Sequence, residues 1–597
     1  MAGSPNSEKV DIASRRTILQ AAGTIGAAGL TTLAGCVGGS NDESDIDVPD
    51  EYVEEEPAGD PVEVVSESLD ADFPVRNYYA EQHANIMDDI GFDVEHNVRA
   101  LQAFLDETQV GRNQDINAMR YLDSFDPERP ISDCASRSAI AEGGGNIANH
   151  YNPEYEELLD EQSQAVDDDE RQELVYEAQE YLVEEEYVVV PIMYQDRAMP
   201  YDADTVSNII DGYLEDGLTG IYNMVQIEVD DEDNELIPIQ HEDLNTLDPL
   251  AAERGRADRD YGRLIFDRLM HPDPDNDYLP EPWAAEEVEQ PDEETYVVTL
   301  QDDLEWHDGE PVTAEDVEFT YTYGPEHSAG MAGVTEHLDE VEVTGDLEAT
   351  FHMEQPDATF LATAMAGRDA HLIPQHILED VDDPSGWDSG DDIDFVGSGP
   401  FQLSSWDEGE ELVLDAFEGH HQEPNIDRVI RLQGADAAAS ASAMEDGTAD
   451  MLPYDLPPDQ LERLDGMDHL EIAESPMTSM HYYSMNMDPD RDGPFRYREV
   501  REAISYTFDR QEWIDVAAAG FGEELNTIVP PALEFWSSED VSTNEFDVDQ
   551  CVEVLGEAGF VWNEDGQLHY PEDTDHLTTQ RDTFDWDEDD LPEMLQG

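Results

Sequence analysis

The 597-residue sequence predicts an α/β fold, and three observations carry that expectation. Strand-like and helix-like runs alternate along 61–200 and return along 481–568, the pattern of strands covered by helices. The length exceeds what one continuous core usually serves, so two or three domains or lobes are expected. Hydrophobic residues make up 39% of the chain, with aromatic residues spread throughout, which excludes wholesale disorder.

The elements run in order along the chain. "PVEVVSES", from residue 61, is a short strand, 74–90 a helix, "GFDVEH", from Gly91, a second strand, and "INAMRYL", 116–122, a third. The stretch "PEYEELLDEQSQAVDDDERQELVYEAQEYLVEE" divides at its three aspartates into two helices, and "YVVVPIMYQ" is a buried strand. Further on, "YVVTL", 296–300, is a strand and "WHDG", 306–309, a turn. In the next helix Thr313 caps the first turn while Asp316 reaches back. "FVGSGPFQLSSW", 395–406, leads into a strand whose hairpin partner is "ELVLDAF". "IDRVIRLQG" is a strand and "MEDGTADMLPY" runs from helix to strand. "HYYSMNM", from His481, is another strand, "REVREAISYTFDRQEWIDVAA" a single helix, and 547–558 a further helix. Residues 569–597 lack sustained periodicity and are expected to be an acidic tail.

Charge narrows the function classes. With 148 acidic residues against 26 basic ones, the formal charge is -122, a field that repels nucleic acid and anionic lipid. Such a surface calls for concentrated salt to screen its self-repulsion, and it resembles the surfaces of proteins from halophilic archaea. Lys9 is the sole lysine, which removes lysine-based Schiff-base and phosphate chemistry. There is no HExxH and no GxSxG, and no acid–base pair stands out from so many carboxylates, so no enzyme is expected. The seventeen histidines show no compact ligand cluster in sequence, and no cofactor is expected. Residues 488–499 carry the spacing of a calcium loop, with Asp488, Asp490, Asp492 and Glu499 as the ligands. An acidic chain generates that spacing by chance, and no bound metal is expected. His307 and Asp308 are adjacent but belong to a turn, where Asp308 accepts from the backbone and Gly309 supplies the dihedrals.

The N-terminus reads as an export address. In "SRRTILQAAGTIGAAGLTTLAGC", Arg15 and Arg16 precede an uncharged Ala/Gly-rich segment that ends at Cys36. It resembles a twin-arginine signal joined to a lipobox, which implies cleavage after residue 35 and a lipid on Cys36. The acidic residues 37–60 are expected to be a solvated spacer. Cys134 and Cys551 are expected to be buried free thiols, with a mutual disulfide as the alternative.

Several motifs together resemble one family. "ETYVVTLQDDLEWHDGEPVTAEDVEFTY", "VGSGPFQLSSW", "GPFRYREVREAISYTFDRQEWI", "GEAGF" and "DLNTLDPL" are similar to stretches of the oligopeptide/dipeptide-binding family, family 5, of extracellular solute-binding proteins of ABC transporters. The resemblance covers about 61–568. It implies a two-lobed periplasmic-binding-protein-like fold of class II, with a large first lobe containing subdomains. It also implies a monomer at the outer face of the cell membrane that closes over a peptide and passes it to permease subunits of an importer. A nickel chelate, a sugar or another small solute is the alternative ligand.

The order of these stretches is unusual. Those of 61–200 resemble elements that the family places in its last third, after its counterpart of "GEAGF". The chain is therefore expected to be a circular permutant, with its join between 200 and 240. The first lobe is then 201–480, and the second is assembled from 61–200 and 481–568. An extra domain arising by partial duplication is the alternative. In peptide-binding relatives an aspartate in a "D..DP" stretch meets the ligand's ammonium, which assigns that role to Asp123 of "YLDSFDP", with Tyr121 beside it. Tyr483 and Asn486 on the strand from His481, and Trp406, complete the expected ligand contacts. Core packing is the alternative for Tyr483, and a core anchor for Trp406.

Overall fold

The computed structural model describes residue 46 and residues 48–582, apart from 71–72, 121–123, 141–143, 211, 215–216, 231, 252–255, 385, 390–392, 455, 489–490 and 519. Arg15, Arg16, Cys36, Tyr121, Asp123 and Asp490 therefore lie outside the described residues.

The first part of the chain forms β1 (Glu63–Leu69), α1 (Pro74–Ile90), β2 (Asp93–Arg99), β3 (Ile116–Arg120), α2 (Pro153–Gln164), α3 (Asp168–Glu180) and β4 (Val189–Asp202). Helix α1 starts with Pro74, whose missing N–H costs nothing there, and ends at Gly91 with φ 114°, donating to the carbonyls of Met87 and Asp88. A side chain at Gly91 would also meet the Gly566 carbonyl at 2.3 Å, so the position is closed to other residues twice over.

The middle forms α4 (Arg256–Ile265), β5 (Ala285–Asp292), β6 (Thr295–Leu300), α5 (Ala314–His327), β7 (Leu338–Val343), β8 (Glu348–Met353), β9 (Phe401–Asp407), β10 (Glu411–Ala416), β11 (Arg428–Gln433), α6 (Ala437–Glu445) and α7 (Pro458–Asp465). At α5 the expected reciprocal cap is present, with Thr313 and Asp316 each bonding the other's backbone. The last part forms β12 (Leu470–Met485), α8 (Arg498–Ser505), α9 (Arg510–Ala517), β13 (Glu523–Glu524) and α10 (Val548–Glu557).

Two compact units result. One contains the described residues up to Asp160, together with Glu173–Gln195 and the stretch from Thr478 onward. The other contains Glu161–Gln172 and Asp196–Met477. The chain passes from one to the other within α2, α3, β4 and β12.

In the first unit, strands belong to a six-stranded sheet ordered β13-β4-β12-β3-β1-β2. β1 runs parallel to β2 and β3, while β12 pairs antiparallel with β3, placing His481 opposite Arg120 and Met485 opposite Ile116. Its core gathers Val64, Tyr79, Met87, Ile192, Phe508 and Trp513. Tyr79 stacks on Trp513 with ring centres 5.7 Å apart. Cys134 and Cys551 are separate buried free thiols in this unit. Burial pushes the Cys134 thiol up to about 12, so it is unreactive.

In the second unit, a four-stranded antiparallel sheet β5-β6-β8-β7 and a sheet containing β9-β10-β11 surround one apolar core. α4 presents Ala257, Tyr261 and Leu264 to it, at spacings of four and three residues. Strands β5, β7 and β8 were not among the expected elements; adjacent acidic residues break the alternation in β5 and β7, while β8 alternates polar with apolar residues.

Three expectations change. The helix expected from Arg498 is broken at Tyr506–Asp509, where the Thr507 hydroxyl bonds back to the Ile504 carbonyl and Asp509 caps a new helix by accepting from Glu512 N–H. The expected spacer 37–60 is partly folded: Val48 and Tyr52 lie against the core, and Glu54 N–H donates to the Trp562 carbonyl. The expected tail from 569 is anchored as far as 582. Leu577 is buried, and Gln580 bonds the Tyr151 N–H and the carbonyls of Asn149 and Met487. Neither stretch is periodic, because each docks through irregular backbone, bends and a short 3-10 turn, with individual contacts.

Pro61 forms an antiparallel bridge with His569, and Val62 N–H lies 3.0 Å from the Leu568 carbonyl. The start of β1 is therefore beside the segment that comes after α10. Among the described residues, no helix is long and apolar enough to cross a membrane.

Candidate functional site

The end of β3 is where the sequence expects ligand recognition. β3 stops at Arg120, just before Tyr121 and Asp123. The Arg120 guanidinium donates to Ser479 Oγ at 2.8 and 3.1 Å, while Tyr79 Oη lies 3.3 Å from His481 Nδ1. Burial, and then the charges of Arg120 and Arg76, hold His481 well below the usual histidine range. Burial also depresses Arg76, and Arg120 adds to it. Arg76 and Arg120 thus both act on the buried His481 at this end of the sheet.

The other expected contacts are placed as follows. Tyr483 is 1% exposed and donates to the Tyr79 carbonyl at 3.4 Å. Its ring sits 4.8 Å from His83 and 4.9 Å from Phe508, so its surroundings are those of a core residue. Asn486 is also buried: its amide donates to the Gln114 carbonyl at 3.0 Å, and its oxygen accepts from Asn149 Nδ2 at 2.9 Å and Asp488 N–H at 3.1 Å. It fixes the entry into β3, and thereby the strand that leads to Asp123. Trp406 lies in the other unit, on β9 opposite Leu412, half-buried against that core.

The calcium-loop spacing does not produce a cation cluster among the described residues. The Glu499 carboxylate accepts from Thr578 N–H at 3.0 Å and Thr578 Oγ1 at 2.9 Å, tying down the C-terminal stretch. Asp492 is fully exposed, 3.5 Å from Arg496. A backbone built to hold Thr578 leaves Glu499 committed elsewhere.

In the second unit the motifs quoted from the sequence converge. His307 N–H donates to the Gly397 carbonyl, its Nε2 lies 2.9 Å from the Gly399 carbonyl, and its ring is 5.0 Å from Phe417. Side chains at Gly397 and Gly399 would strike the α4 terminus, at 2.0 Å from the Ile265 carbonyl and 2.7 Å from the Leu264 carbonyl respectively. The "GSG" spacing is thus a requirement of close backbone approach. Burial pushes His307 down to about 4, so it stays neutral and structural.

Directly after α4, Asp267 accepts from His420 Nε2 at 3.0 Å and Trp283 Nε1 at 2.8 Å. Burial raises the Asp267 carboxyl, but the charge and hydrogen bond of His420 outweigh it, and the net direction is down. Burial lowers His420, and Asp267 more than reverses that. The two form a buried ion pair, and His421 sits beside them. The histidines do therefore come together, contrary to the sequence reading. The cluster was hidden because Asp267 is 153 residues from His420, and the available signal was the adjacent pair His420–His421.

Residues 280–596 match the model of the family described as bacterial extracellular solute-binding proteins, family 5, middle. The chain belongs to this family. It is 26% identical over 272 residues to the glutathione-binding protein GsiB of Salmonella paratyphi A, covering 45% of this chain and 50% of that one. It is 26% identical over 277 residues to the oligopeptide-binding protein AppA of Bacillus subtilis, covering 44% and 48%. The chain thus spans about half the length of the curated relatives it matches. The solved structure of Bacillus subtilis AppA in complex with a nonapeptide is similar at 20% identity and a TM-score of 0.42, over 58% of this chain and 66% of that one.

Proposed function

We propose that this family 5 protein captures peptides outside the cell membrane and delivers them to the permease subunits of an ABC importer. Membership of the solute-binding family over 280–596 carries the reading. Relatives named for glutathione, oligopeptides and dipeptides favour a peptide over a nickel chelate or sugar. Asp123, with Tyr121 beside it, is the proposed partner of the ligand's ammonium, a charge-assisted hydrogen bond. Trp406 is the proposed apolar contact, while Tyr483 and Asn486 serve by holding the strands. Export through Arg15 and Arg16, a lipid on Cys36, a monomeric state and life in concentrated salt complete the proposal, supported by the N-terminal pattern and the charge of -122.

The rotated order of family elements belongs to the same proposal. Two observations support it over partial duplication: β1 shares a sheet with β12, and Pro61 bridges His569. Neighbouring ends at the surface make such a rearrangement physically cheap.

Calorimetry in molar salt tests both parts. Peptides with free amino ends are expected to bind, and Asp123→Asn to weaken them by about 30-fold or more, the cost of stranding one member of a buried charge pair. A chain rearranged to start at residue 234, run to 582 and continue through a flexible linker into 61–233 is expected to fold and bind alike. Equal binding by Asp123→Asn refutes its role, and failure of the rearranged chain to fold refutes the rotated order.

A further inference from the structure

We infer that Asp267, His420 and His421 form a binding site for a transition-metal dication of the zinc type within the second unit. One ligand atom from each residue lies within 4.8 Å of the others, and among the described residues no other histidine, cysteine or carboxylate group clusters this way. Two imidazoles and one carboxylate are a donor set that suits Zn2+, with a fourth position open to water. A tetrahedral ion with bonds near 2.0–2.1 Å needs its donors about 3.3 Å apart. The 3.0 Å between His420 Nε2 and the Asp267 carboxylate is already close to that.

Two further observations separate this group from an ordinary buried ion pair. Neither ring nitrogen of His421 has a hydrogen-bond partner within the protein, although both atoms are buried. Burying a polar atom unsatisfied costs about 1–3 kcal/mol, a cost that coordination would relieve for one nitrogen. Gln422 holds the His420 ring from its Nδ1 side, its carbonyl 2.9 Å and its N–H 3.0 Å from Nδ1, which leaves Nε2 directed at Asp267. With a proton kept on Nδ1 by that carbonyl, loss of the Nε2 proton is what would turn a lone pair toward Asp267 and the metal. On binding, the proton that His420 Nε2 now donates to Asp267 leaves to solvent and the metal takes its place. Trp283 Nε1–H continues to orient the carboxylate.

The site has a structural use. Asp267 comes just after α4, its N–H donates to Ser398 Oγ at 3.3 Å within "GSGP", and the two histidines come after β10. One ion would clamp the Asp267 and His420–His421 segments together, with the Asp267 N–H linking them to "GSGP". His421 is half-buried and offers a route for entry.

Co2+ is the probe. The chain is stripped of metal with a chelator and titrated in molar NaCl with excess Mg2+, so that the many surface carboxylates are occupied. One Co2+ per chain is expected, with the intense visible absorption of a four-coordinate nitrogen-ligated ion, bleached by Zn2+. His421→Ala removes neither member of the ion pair and is expected to fold in high salt, with a circular dichroism spectrum like that of the parent, while weakening Co2+ by more than about 100-fold, the upper range for losing even an outer-shell partner. Absence of the band, or an equal band in His421→Ala, overturns the site. The readout is independent of peptide binding, so it stands or falls apart from the proposed function.

Discussion

Transfer of the protein from molar NaCl to about 10 mM salt is expected to abolish its cooperative melting transition, and restoring the salt is expected to recover it. At most 26 of the 148 carboxylates can have a basic residue of their own, so most repel one another without local compensation. Two carboxylates 10 Å apart at the surface repel by about 0.4 kcal/mol in unscreened water. The Debye length is about 30 Å at 0.01 M and about 3 Å at 1 M, so this repulsion is about twenty-fold smaller at the higher salt. Summed over a net charge of -122, the low-salt term exceeds the 5–15 kcal/mol that typically holds a fold. Sucrose, which is uncharged, is expected to rescue far less than NaCl. A melting temperature unchanged across the series, measured by circular dichroism, would contradict the electrostatic account.

Arg501→Met is expected to cost about 3–5 kcal/mol, the range for breaking a buried ion pair from one side. Arg501 is fully buried at α8, and its guanidinium reaches Glu186 Oε2 at 2.9 Å, the Glu186 carbonyl at 2.8 Å and the Phe495 carbonyl at 3.0 Å. It links α8 to the residues that lead into β4, and removing it leaves a part-buried carboxylate and two carbonyls without their donor. Burial pulls the guanidinium down to about 10, still charged at neutral pH. The double substitution Arg501→Met with Glu186→Gln is expected to recover a large part of the loss, because the stranded charge goes with it. Denaturant unfolding in high salt measures both, and a single-variant loss under about 1 kcal/mol would count against the role assigned to the pair.

The sequence made local structure legible wherever period and caps agreed. The bounds of α1 derive from Pro74 and Gly91, and the start of α5 from Thr313 and Asp316, because each effect acts within one turn. The break between α8 and α9 was missed because the apolar period continues across Tyr506–Asp509, while the deciding bonds of Thr507 and Asp509 are side-chain details. Among the site residues, the convergence of His307 with "GSGP" was invisible because it is made through backbone carbonyls. The Asp267–His420–His421 group was missed because acidic residues are so common here that no aspartate stands out until the fold selects one.

Native mass spectrometry of the protein purified from its own cells tests the central claim most directly. A retained short peptide is the expected ligand, and denaturing the same sample is expected to give a chain that begins at Cys36 and carries lipid. A retained sugar or nickel chelate would contradict the peptide-capture account, and an unlipidated chain beginning before Cys36 would contradict its anchoring.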